Sequence, residues 1–156
     1  LEALGSDERY LHRGLPYGVA FTGHWSLFVP LIAPGVVDAL EPEMERLKAL
    51  CFRLDVATVH AYAPMGPRSF YARDFAPLLG IPEDPVTGSA NAALGALLAR
   101  AGVVPRREGK VLLTVYQGHH LGNPGVVEVQ VEYSPTGEPY SVQIGGEAVI
   151  VQTGEV

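Results

Sequence analysis

The sequence predicts an α+β fold: a strongly curved, mostly antiparallel or mixed sheet rolled around one central apolar helix. Three observations predict it. First, the run Ser89 to Ala101 is rich in Ala and Leu, both strong helix formers, and its interior carries a single polar side chain, Asn91, before Arg100. A helix that is apolar all round is a buried helix. Second, most of the remaining chain divides into short strand-like runs separated by turn residues, so the strands connect largely by hairpins. Third, the chain has 156 residues, 47% hydrophobic and 18% charged, which suits one compact domain, residues 1–156, with a real core. In a chain of that size only the sheet can surround the helix.

Taken in order, Leu1 to Pro16 is mixed and turn-rich. "GVAFT" (18–22) and "WSLFVPLI" (25–32) read as two strands around Gly23-His24, with Pro30 suggesting an edge or a bulge. "PEMERLKALCFRL" reads as an amphipathic helix. Pro42 suits a first helical position, and Met44, Leu47, Cys51 and Leu54 form the apolar stripe. "DVATVHAYA" (55–63) and "RSFYARDFA" (68–76) read as strands joined by a Pro/Gly turn. After the apolar helix, "GKVLLTVYQG" (109–118) is another strand. "VVEVQVEY" sets Val127, Val129, Val131 and Tyr133 on one face and Glu128, Gln130 and Glu132 on the other. "YSVQI" and "EAVIVQT" flank Gly145-Gly146 as a hairpin. The total is seven or eight strands and two helices.

Composition excludes several functions. The net charge is -6, and no basic cluster exceeds Arg106-Arg107, which argues against nucleic acid and against an anionic membrane surface. No apolar run approaches a membrane span. The lone Cys51 rules out an internal disulfide and fits a reducing, cytoplasmic compartment. The first residue is Leu1 rather than Met, so the chain reads as a fragment or a processed product.

The chemistry gathers at "PEDPVTGSANAALG". Thr87 or Ser89 caps the apolar helix and Gly102 ends it. The helix start offers free N–H groups and partial positive charge, and Gly88 allows close backbone approach. Such a terminus holds a carboxylate or an enolate-like oxygen. Thr87 and Ser89 add hydroxyls, and Asp84, one turn away, suits an amine, a hydroxyl or a proton transfer. The same residues are also ordinary turn-and-cap chemistry. The motif is neither a P-loop, since no Lys follows the glycine, nor a dinucleotide fingerprint, and no cofactor is called for.

At this point the residues resemble a known family. "RDFAPLLGIPEDPVTGSA", Arg73 to Ala90, resembles the signature R-x-F-A-P-x-x-G-I-x-E-D-P-x-T-G-S-A of the phenazine-biosynthesis PhzF-like proteins. "TGHWSLFVPL", "QGHHLGNPGVVEV" and "VQIGGEAVIVQTGEV" resemble further family segments, so the resemblance covers nearly the whole chain. It implies two similar halves, each a sheet rolled around one helix as in diaminopimelate epimerase, with the active site between the facing helix starts. It implies isomerase chemistry by proton shuttling; the best-known member moves a double bond in dihydro-hydroxyanthranilate. Carried over, Asp84 matches the aspartate beside the proton transfer, Gly88 and Ser89 match the pair that binds the substrate carboxylate, and Thr87 supports the turn. The family's general acid/base, a glutamate, and its Gly-His motif belong to the first half, and this chain corresponds to the second half only. His24 follows a glycine but lies in the wrong segment, and Asn123 stands where the family usually has Arg.

Other candidates read as structural. Cys51 is a buried filler, and the two-thiol chemistry of the epimerase relatives is not expected, because Pro85-Val86-Thr87 carries no Cys. His119-His120 lacks a third ligand at metal-site spacing and reads as a solvated or site-rim loop. His12 has no partner pattern, His60 reads as a half-buried strand residue, and Glu83 accepts backbone or Arg bonds near the turn. Three functions follow. The chain is the C-terminal half of a PhzF-like isomerase, acting on a small carboxylate-bearing substrate and inactive without its first half. Alternatively it is a stand-alone binding module that pairs with a second copy as a homodimer. The weakest reading is a metal-dependent hydrolase on His119-His120.

Overall fold

A computed structural model describes residues 1–150 and 153–154. Eight strands form one mixed sheet: β1 (Gly18–Phe21), β2 (Trp25–Pro30), β3 (Thr58–Gly66), β4 (Ser69–Ala76), β5 (Ile81–Asp84), β6 (Lys110–Gln117), β7 (Gly125–Tyr133) and β8 (Pro139–Gly145). The order across the sheet is β1-β2-β3-β4-β6-β7-β8, with β5 paired to β4 beside β6. Helices α1 (Pro34–Asp38), α2 (Met44–Leu54) and α3 (Gly88–Arg100) complete the fold. The β2–β3 and β4–β6 pairs are parallel and the other pairs antiparallel. Parallel neighbours need crossovers, and here the helices supply them. α1 and α2 cross between β2 and β3 on one face, and α3 crosses between β4 and β6 on the other.

Strand alternation divides the core into two layers. On the inner side Phe28, Tyr62, Phe70 and Ala72 face α3, together with Val111, Leu113 and Val115 of β6 and Val127, Val129 and Val131 of β7. Leu27, Val29, Val59, Ala61, Ala63, Tyr71 and Phe75 face α1 and α2 on the outer side. α3 packs against β1 and β2 as well as β6, β7 and β8, so the sheet curls until both of its end strands reach the same helix. The α+β half-barrel predicted from the apolar helix is therefore the observed architecture.

The helix itself follows its sequence. Ala90, Ala93, Leu94, Leu98 and Ala99 are fully covered. The small residues admit close strands: a Cβ on Gly95 would lie 2.5 Å from Val129 Cγ1. Gly102 ends the helix with φ +68, and Gly102 N–H and Val103 N–H donate to Ala99 O and Leu98 O, the paired bonds of a Schellman cap.

Several expectations are corrected. The residues "IPED" form the short strand β5 rather than a turn; proline and acids are poor strand formers, and tertiary pairing to β4 overrides them. Helix α1 is unforeseen, and α2 starts at Met44 with Glu43 as its N-cap, so Pro42 lies outside it. Leu54 is exposed, and Leu50 packs on the core in its place. Pro30 ends an inner strand, not an edge strand. No strand forms over residues 147–150, where Val149 and Ile150 are 84% and 87% exposed; alternation without a neighbouring strand does not make a strand, and the rest of "EAVIVQT" lies partly outside the described residues. Among the described residues no helix is long and apolar enough to cross a membrane.

Candidate active site at the start of α3

The site grows from a fork in the sheet. One edge of β4 pairs first with β6, from Ser69 to Ala72, and then with β5, from Asp74 to Ala76. The two strands part at that point, and α3 begins beside the gap. Backbone groups at such a fork lose their ladder partners and need side chains instead.

Gln117, the last residue of β6, fills this need. It is wholly buried. Its Nε2 donates to Asp84 O at 2.8 Å and to Thr87 Oγ1 at 3.0 Å. Its Oε1 accepts from Thr87 N–H at 3.2 Å and from Asn91 Nδ2 at 2.7 Å. Both Nε2 protons and both lone pairs of Oε1 are therefore used. The other Asn91 Nδ2 proton goes to Thr87 O at 2.9 Å, which explains the one polar side chain inside the apolar helix. Gly118 follows with φ +85, and a Cβ there would collide with the carbonyl oxygens of Asn123 and Pro85, the latter at 2.7 Å.

The candidates named from the sequence come together here. Thr87 is the N-cap, but its hydroxyl does not cap the helix: it donates to Asp84 Oδ2 at 2.7 Å. Thr87 is buried and its hydroxyl is committed, so it orients Asp84. Asp84, Gly88 and Ser89 are each half-buried. The N–H groups of Gly88, Ser89 and Ala90 have no acceptor among the described residues, as expected for a first helical turn. Thr22, just after β1, donates its hydroxyl to Ser89 O at 2.6 Å, which ties the β1–β2 turn to the helix start. Ile144 of β8 covers the other side, its Cδ1 2.8 Å from where a Gly88 Cβ would stand. The arrangement presents three backbone donors and a helix dipole beside one oriented carboxylate, which suits an anionic group with a proton-accepting or hydrogen-bonding neighbour.

Two hollows, about 560 and 1290 Å³, lie on the outer face of β6–β8 and beneath the N-terminal segment, and neither is lined by Asp84, Thr87, Gly88 or Ser89.

The rest of the signature is structural. Arg73 points to the outer face, where Nε and Nη2 bind Glu83 at 2.9 and 2.8 Å, and Nη1 donates to the carbonyls of Val37, Asp38 and Leu40. Glu83 thus accepts Arg bonds as the sequence suggested. His119 and His120 are exposed, with the His119 ring 5.4 Å from that of Tyr71. No group of three or more potential metal ligands forms among the described residues. Asn123 is exposed and contributes backbone to the Gly118 turn. His60 is a correction: it is wholly buried, not half-buried, and pairs with Asp74. Sequence reasoning assigned no role to Gln117, although the "QG" motif marked the position. Cys51 lies in the outer core, where burial, with a smaller push from the Asp74 charge, raises its thiol to about 11.

A sheet rolled around one helix, with unpartnered helix-start N–H groups beside an oriented aspartate, sets the class of fold to which the chain belongs. Residues 1–154 match the family described as "Phenazine biosynthesis-like protein" (PhzC-PhzF), and the chain belongs to that family. It is 52% identical over 153 residues to an uncharacterised isomerase of Deinococcus radiodurans, covering 98% of this chain and 49% of the relative. It is 31% identical over 140 residues to the trans-2,3-dihydro-3-hydroxyanthranilate isomerase of Pseudomonas aeruginosa, covering 89% of this chain and 47% of that protein. The PhzF-family protein of Bacillus anthracis has the same fold, with a TM-score of 0.73 at 24% identity, over 95% of this chain and 54% of that one. The chain spans about half the length of the curated relatives it matches.

Proposed function

We propose that the chain supplies one wall of a PhzF-like isomerase site, which moves a proton on a small carboxylate-bearing substrate. The observation that supports this reading is the helix start, where the N–H groups of Gly88, Ser89 and Ala90 have no acceptor among the described residues and Asp84 is held beside them by Thr87; in this reading those N–H groups receive the carboxylate and Asp84 faces the carbon that loses or gains a proton. A second wall supplies the general acid/base, so the 156-residue chain alone is inactive.

The test is exchange of carbon-bound hydrogen for solvent deuterium, with trans-2,3-dihydro-3-hydroxyanthranilate as the first substrate, in a protein holding both halves. Asp84→Ala should lower turnover at least about 100-fold, the scale of a lost acid/base partner. Turnover undiminished in that variant would remove Asp84 from the site.

A second reading is favoured by Val19, Phe21 and Trp25, which stand 48%, 54% and 47% exposed at the β1 end of the sheet. Such a patch suits a non-catalytic module that pairs with another copy. Sedimentation showing a monomer across the micromolar range would count against that reading.

A further inference from the structure

Behind Asp84 lies a buried acid–base pair with no part in the proposed reaction. His60 and Asp74 are both wholly buried, and His60 Nδ1 sits 2.9 Å from Asp74 Oδ1. His60 Nε2 and Asp74 Oδ2 are buried without a partner among the described residues. The register places these groups in one row: His60 on β3 is opposite Asp74 on β4, which is opposite Asp84 on β5. Directly opposed residues have Cβ atoms about 5 Å apart. Asp74 therefore stands between an imidazole and a second carboxylate.

The other neighbours do not balance its charge. Phe28 on β2 stacks edge-on against His60 at 5.5 Å. Ser26 and Thr58 bond to each other at 2.9 Å. Gln117 on β6 and Asn91 on α3 are neutral and engaged with Thr87. Arg73 points to the opposite face and is spent on Glu83. Cys51, on the outer side, is an acid rather than a cation. Among the described residues, His60 is the group on the inner face that can neutralise Asp74.

We propose that His60 and Asp74 form a charge-balanced positioning pair for Asp84. The pair holds one proton between them and is neutral as a unit, so Asp84 presents its carboxylate at the helix start without a bare like charge at its back. The role at the site rests on the proposed isomerase reading; the charge balance does not, and is measured without substrate.

The experiment is the unfolding equilibrium from about pH 5 to 8 for the wild-type protein and for His60→Gln, Asp74→Asn, His60→Gln/Asp74→Asn and His60→Gln/Asp84→Asn. The variant His60→Gln/Asp74→Asn titrates at neither position and is the reference. The folded wild-type pair keeps its proton, whereas unfolded His60 releases its own above about pH 6.5, so wild-type stability relative to the reference should be level below about pH 6.5 and fall above it, by up to about tenfold in the equilibrium constant per pH unit. His60→Gln leaves Asp74 beside Asp84 with no counter-charge, so the folded state holds a proton that the unfolded state does not, and the fall should begin already at about pH 5. Asp74→Asn leaves His60 buried and neutral, so its stability should rise up to about pH 6.5 and then stay level. Adding Asp84→Asn to His60→Gln should weaken the fall. A wild-type profile that stays level above about pH 6.5 would reduce the pair to a plain hydrogen bond. An unchanged slope on adding Asp84→Asn would disconnect it from the site. Failure of the exchange assay with these slopes intact would overturn the isomerase reading alone.

Discussion

Gln117→Leu removes the amide that closes the sheet fork while keeping its size. Four hydrogen bonds go. Thr87 N–H and one Asn91 Nδ2 proton are left buried without acceptors, at about 1–3 kcal/mol each, or about 2–6 together. The leucine side chain returns about 1–2 kcal/mol of apolar burial. The net loss is about 3 kcal/mol. With a urea slope of about 2 kcal/mol/M, the unfolding midpoint should fall by about 1.5 M. Amide exchange should also accelerate at Asn91, since the first turn of α3 loses its anchor to β6. A midpoint within about 0.3 M of wild type would show that the hub is not what joins the helix start to the sheet.

Arg73→Lys breaks the bidentate contact with Glu83 and leaves the carbonyls of Val37, Asp38 and Leu40, at and just after the end of α1, short of a donor, so it should cost about 3 kcal/mol and lower Tm by about 8 °C in a thermal scan. Gly118→Ala combines a φ of +85 with two carbonyl collisions and should destabilise by more than about 2 kcal/mol in the same scan. The Cys51 thiol is raised from 9.0 to about 11, so the folded state keeps a proton that the unfolded state gives up. Stability should therefore fall as pH rises from 9 to 11, and Cys51→Ala should flatten that part of the profile by up to about 1.4 kcal/mol per pH unit.

The sequence made the central helix legible because its apolar surface leaves no solvent face, and the half-barrel followed from that. Regular strands such as β7 were legible from alternation alone, with Val127, Val129 and Val131 buried as their period requires. What was not legible depends on distant partners. β5 is a strand because Asp84 pairs with Asp74 and Glu83 binds Arg73, contacts that no local propensity encodes. His60 and Asp74 are fourteen residues apart, and nothing in their spacing indicates a shared hydrogen bond. Asp84, Gly88 and Ser89 were found through the motif, but the device that holds them, Gln117, lies about thirty residues on and appears only when β6 is placed beside β5.

The same alternation explains why the signature is so long. Arg73 and Asp74 are adjacent on β4 and so point to opposite faces, as do Glu83 and Asp84 on β5. The outer pair, Arg73 with Glu83, locks β4 to β5 and holds α1. The inner pair, Asp74 with Asp84, faces the start of α3. Moving β5 by one residue would exchange the two sets, burying Glu83 beside Asp74 and turning Asp84 outward. The bidentate Arg73–Glu83 contact fixes that register, because a guanidinium fork fits one carboxylate geometry. The arginine at the outer face therefore decides which acid reaches the helix start, although it touches nothing there.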